Sequence, residues 1–168
     1  MITLLNHADR VASASLAQLV NVIAPIMTEP NGPAWRQTTF FPFSLTSQLA
    51  QGDALKVAIA GDTVETAQYG TVPVVDAAAT TDGERVSVFL INRSTDAATT
   101  VTLDLGRLGQ SATGSVSAQG IWDDDVHAKN TLDDTERVGL RTNDSATLQD
   151  GTLTIELPPT SWTAVTIG

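Results

Sequence analysis

From Ser15 to Ile26 the chain reads Ser-Leu-Ala-Gln-Leu-Val-Asn-Val-Ile-Ala-Pro-Ile, almost continuously apolar and without strict alternation. Such a run suits a strand buried on both faces, as in a parallel sheet covered by helices, and the pattern places it at about 14–20. The turn-rich loop Thr28-Glu29-Pro30-Asn31-Gly32-Pro33 follows, and then a helix-like run from Ala34 to about Leu49. Pro33 is placed to open that helix, and Pro42, inside Phe40-Phe41-Pro42-Phe43, is expected to kink or split it. Residues 2–7 read as the tail of an amphipathic helix, closed by the polar pair Asp9-Arg10. One strand and one helix cannot bury a parallel sheet alone. The pattern therefore predicts that residues 1–51 are the last βα unit of a (β/α)8 barrel.

After Gln51-Gly52-Asp53 the texture changes. Short runs rich in Val, Thr and Ile recur between turn signals, the mark of an all-β sandwich over residues 52–168. The expected strands are 55–60, 64–68, 74–80, 85–92, 99–105, 114–121, 146–148, 152–157 and 162–167. Asp82-Gly83 and Asp150-Gly151 have the form of tight hairpin connections. Val86, Val88 and Leu90 alternate with Ser87, Phe89 and Ile91, so this strand is apolar on both sides toward its end and is expected to be central.

Length and charge narrow the picture. The chain has 168 residues, enough for a sizeable core but short of the roughly 250 of a complete barrel. A net charge of −10 with only nine basic residues argues against nucleic acid or an anionic membrane surface as partner. The absence of cysteine excludes disulfides and thiolate metal sites. Met1-Ile2-Thr3-Leu4-Leu5 lacks the basic and apolar parts of a signal peptide, and no apolar run reaches the roughly 18–20 residues of a membrane span.

Candidate chemistry is sparse. Asp123-Asp124-Asp125 lacks the spacing and glycine of a calcium loop, and three consecutive Asp cannot all face one ion, so a solvated acidic turn is expected. Asp133, Asp134 and Glu136 read the same way. His7 and His127 are the only imidazoles and share no local motif. No Gly-x-Ser-x-Gly element, phosphate loop or thiol nucleophile occurs. Glycoside chemistry needs paired carboxylates at the ends of neighbouring barrel strands; Glu29, the one Glu of the barrel-like segment, has no partner there.

Two blocks carry a family signature. Gln18 to Thr28, followed by Gly32-Pro33-Ala34-Trp35-Arg36-Gln37-Thr38, resembles the carboxyl-terminal part of the α-L-arabinofuranosidases of glycoside hydrolase family 51. The likeness continues through Tyr69-Gly70, Val72-Pro73, Asp76-Ala77-Ala78-Ala79, Asn92-Arg93 and Asn130-Thr131-Leu132, and closes on Leu157-Pro158-Pro159-Thr160-Ser161-Trp162.

The resemblance implies a mainly β fold, a jelly-roll-type sandwich preceded by the end of the barrel. It implies a retaining enzyme that removes terminal non-reducing α-L-arabinofuranosyl residues from oligosaccharides or polysaccharides. That enzyme works without metal or cofactor and uses two Glu on the fourth and seventh barrel strands. Both strands precede this chain, so no catalytic residue is expected here and the chain alone is expected to be inactive. One family residue carries over: Gln18 matches the Gln that contacts the arabinose ring, where a neutral amide donates and accepts without perturbing a Glu pair. Trp35 is the second candidate, since an indole can cover a sugar face and bond a hydroxyl. Asn21 and Arg36 are as readily structural. The implied partners are the upstream barrel and further copies of the enzyme, in the cytoplasm. The alternative is a non-catalytic carbohydrate-binding or assembly sandwich, which Trp122, Trp162 and Tyr69 would have to serve.

Overall fold

The computed structural model describes residues 1–108 and 114–168. It is built mainly of antiparallel strands with few helices. The short helix α1 (Ile2–Leu5) opens the chain. A small hairpin follows, β1 (Ile26–Thr28) with β2 (Ala34–Arg36), and then helix α2 (Phe40–Leu49). Next come β3 (Asp53–Leu55), the hairpin β4 (Thr63–Thr66) and β5 (Gly70–Pro73), then β6 (Val75–Thr81), β7 (Val86–Asn92) and β8 (Thr99–Asp104). β9 (Val116–Ile121), β10 (Arg141–Thr142), β11 (Thr147–Gln149), β12 (Thr152–Leu157) and β13 (Ser161–Ile167) complete it.

A six-stranded sheet runs in the order β10-β9-β13-β7-β6-β3, and a three-stranded sheet in the order β11-β12-β8. Period-two alternation sends Val86, Val88 and Leu90 of β7 and Val165 and Ile167 of β13 into one cluster with Leu153, Ile155 and Leu157 of β12. Phe89, Ala164 and Trp162 point from the other face into a second cluster with Ile2 and Leu45 from the two helices. β7 is covered on both faces and paired on both edges, which is why Val88 to Ile91 are apolar on both sides of the strand. The Phe89 and Trp162 rings stack with centroids 6.2 Å apart. Ala78 keeps β6 thin on the face that α1 covers, and Asn6 Nδ2 donates to the carbonyl of Ala77 at 3.0 Å.

Most expected strands of the β-rich part are present, with shifted ends. The stretch expected at 55–60 pairs only over Asp53–Leu55. β5 and β10 carry no strong pattern and pair through their neighbours alone. Asp150 (φ 50°) and Gly151 (φ 74°) make the two-residue turn between β11 and β12, both in the left-handed region a tight hairpin demands. Gly52 (φ 74°) enters β3 so close to β6 that an added Cβ would sit 2.1 Å from the Thr81 carbonyl oxygen, so only glycine passes there.

Three expectations for the first fifty residues are corrected. No paired strand forms at 14–20. Residues 11–16 run straight, without turn or bend, but no neighbouring strand borders them among the described residues. The helix expected from Ala34 begins only at Phe40, because Ala34–Arg36 pairs instead with Ile26–Thr28. Pro42 neither kinks nor splits the helix: it lies in the first turn, where a missing N–H costs no hydrogen bond.

Candidate functional site

The straight run 11–16 ends where Gln18 takes φ 61° and the chain turns. Among the described residues, no amide or carbonyl from 12 to 20 takes part in a hydrogen bond. The turn is held by Asn21. Its backbone N–H donates to the Ile26 carbonyl (2.8 Å), its Nδ2 to Thr28 Oγ1 (2.9 Å), and its Oδ1 accepts from the Thr28 amide (2.7 Å). Asn21 is thus structural, and its side chain tolerates its own φ of 61°. Val22 beside it has φ 58°, an uncommon position for a β-branched residue. Leu19, Val22 and Ile23 are 78%, 80% and 70% exposed.

Gln18 is exposed and lines a cavity of about 280 Å³ whose walls include Leu16, Leu19, Ile26, Phe40 and Phe43. Trp35 stands elsewhere. Strand alternation in β2 buries its indole between exposed Ala34 and Arg36, and it lines a second cavity, about 410 Å³, with Arg36, Phe41, Thr135, Glu136 and Leu140. The Arg36 guanidinium lies 5.5 Å from the Phe40 ring and 5.6 Å from the Phe41 ring, so it stands between residues of both cavities. The two sequence-predicted residues therefore line neighbouring cavities rather than one.

The far side of the second cavity comes from the 122–140 loop, and Asn130 holds it there. Its buried Nδ2 donates to the carbonyls of Arg36 (2.7 Å) and Val138 (2.8 Å), and its Oδ1 accepts from the Val138 amide (2.7 Å). This role was not visible in the sequence beyond the family likeness at Asn130-Thr131-Leu132, because its partner Arg36 is 94 residues away.

The acidic turn is self-contained. Arg137 donates to Asp123 (3.3 Å) and Asp125 (3.1 Å), while Asp123 Oδ1 also accepts from the Asp125 amide (2.9 Å). That amide, and then the guanidinium, hold the Asp123 carboxyl below its ordinary value. Glu29 and His127 are exposed, and His7 contacts Arg10. No group of three potential ligands that could hold a metal occurs among the described residues. Tyr69 is exposed, Trp122 is half-buried and Trp162 is in the core, so the three aromatics form no common platform.

A chain of antiparallel sheets with few helices is best placed by its relatives. Residues 1–161 match the alpha-L-arabinofuranosidase C-terminal domain family. The chain belongs to that family. This family 51 domain is 54% identical over 170 residues to an exo-alpha-(1->6)-L-arabinofuranosidase of Bifidobacterium longum, covering 98% of the chain and 32% of that protein. It is 48% identical over 166 residues to an intracellular exo-alpha-(1->5)-L-arabinofuranosidase of Streptomyces lividans, covering 98% of the chain and 25% of that protein. Among solved structures, a family 51 alpha-L-arabinofuranosidase from Bifidobacterium longum matches with a TM-score of 0.90 at 42% identity, over 99% of this chain and 33% of that one. The domain spans a quarter to a third of the length of the two curated relatives named here. Among the described residues, no helix is long and apolar enough to cross a membrane.

Proposed function

We propose that the domain is the carboxyl-terminal part of an α-L-arabinofuranosidase that releases terminal non-reducing α-L-arabinofuranosyl residues with retention. In this reading residues 1–51 supply the last strand and helix of a (β/α)8 barrel, and residues 52–168 form a jelly-roll-type sandwich that buttresses it. The two catalytic Glu belong to the upstream barrel, and the domain alone is inert. The observation that carries the reading is the run 12–20 around Gln18. It has unbonded amides and carbonyls from 12 to 20 and exposed apolar side chains, which is the state of a strand whose sheet neighbours lie outside the chain. Gln18 stands near the end of that run, where barrel enzymes place substrate contacts. Intracellular relatives support a cytoplasmic enzyme, and the exposed apolar surface supports assembly into oligomers.

The test is activity in two settings. Rigorously purified domain should give no hydrolysis of an aryl α-L-arabinofuranoside above a buffer blank; turnover there would overturn the reading. In the longer enzyme, Gln18→Ala should lower kcat/KM by about 1–3 kcal/mol of transition-state stabilisation, the scale of a lost buried hydrogen bond. An unchanged kcat/KM would remove Gln18 from the substrate contacts.

A further inference from the structure

We propose that the cavity between β2 and the 122–140 loop is a carbohydrate subsite for the leaving-group side of the substrate, with Trp35, Arg36, Thr135 and Glu136 as its contacts. The proposal rests on the arabinofuranosidase reading above. The β1–β2 hairpin follows the turn after Gln18, and β1 is tied to that turn through Asn21, so it stands at the end of the run assigned to substrate. Asn130 then fastens the loop to this hairpin, bringing residues of the sandwich up to the same end.

The chemistry of the lining suits a neutral sugar. Trp35, Phe41 and Leu140 give apolar surface for C–H faces, while Thr135, Glu136 and Arg36 give acceptors and donors for hydroxyls. Among the described residues, Glu136 has no cationic partner and Arg36 has no carboxylate partner. The buried Trp35 Nε1–H also lacks an acceptor. An unmet buried donor is costly, and a small movement of the indole toward an incoming hydroxyl would relieve it. A net charge of −10 together with Glu136 disfavours an anionic occupant. The volume of about 410 Å³ is in the range of small-ligand sites. With Arg36 between the cavities, the terminal arabinofuranosyl unit belongs on the Gln18 side and the next sugar on the Glu136 side.

The test uses the longer enzyme with two substrates, 4-nitrophenyl α-L-arabinofuranoside and an α-linked arabinotriose. Glu136→Ala, at an exposed position, and Trp35→Phe should each lower the ratio of kcat/KM for the triose to kcat/KM for the aryl substrate by about tenfold. Melting temperatures of the variants show whether Trp35→Phe still folds; Glu136→Ala decides the matter if it does not. A ratio unchanged in Glu136→Ala overturns the subsite, even if both rates fall together. Failure of the unsubstituted enzyme to cleave either substrate would overturn the arabinofuranosidase reading instead.

Discussion

β7 and the run around Gln18 are both rich in Val, Ile and Leu, yet they end in opposite states. β7 is paired on both edges, to β13 and β6, and covered on both faces. From 12 to 20 the chain has no hydrogen bond among the described residues, and Leu19 lies in solvent. Apolarity makes burial favourable, but it does not supply the surfaces to be buried against. Around β7 those surfaces are supplied by β6, β13, β12 and the two helices. For the Gln18 run no strand supplies them among the described residues.

The contrast should be widest in amide hydrogen exchange. Amides 12–20 should exchange at close to unstructured rates, while those of β7 and β13 should exchange only through global opening. Strong protection of 12–20 in a dilute monomer would erase the distinction between the two regions.

Truncation should separate the regions next. Ile155→Ala, in the middle of the sandwich, should lower unfolding free energy by about 2–5 kcal/mol in urea titrations. Leu19→Ala should change it by less than about 0.5 kcal/mol. Comparable losses at the two positions would mean that the Gln18 run is packed after all. Asn130→Ala tests the joint between hairpin and sandwich. It deletes both donors and the acceptor, leaves the Val138 amide unmet, and should cost about 2 kcal/mol by the same titration.

The smallest effect concerns acid. Backbone amides of Arg85 and Glu84 hold Asp82, and the Asp125 amide and Arg137 hold Asp123, below the ordinary carboxylate value of 3.8. Groups lowered in the folded state contribute stability that is present above 3.8 and lost as pH falls through their folded values. Asp82→Asn and Asp123→Asn should therefore flatten the acid limb of a melting-temperature profile slightly and leave the Gln18 run unaffected. A limb as steep as that of the parent chain would remove these two carboxyls from the acid response.

The order of residues alone set the local chemistry of the molecule. Val, Thr and Ile-rich runs between turn signals marked β7, β8 and β12, turn residues marked Asp150-Gly151, and the blocks around Gln18 and Trp35 carried the family. Those signals are short-range: side-chain period, turn conformation and residue order within a dozen positions. Tertiary structure decided what lies beyond that range. Trp35 went into a strand rather than a helix because Met27 and its neighbours offered β pairing. The expected strand at 14–20 did not form, because a strand needs partners across its edges and none is available among the described residues. The second cavity exists because the Asn130 amide found a carbonyl 94 residues back along the chain. Such a contact depends on where the sheets bring two loops together, and no local pattern encodes it.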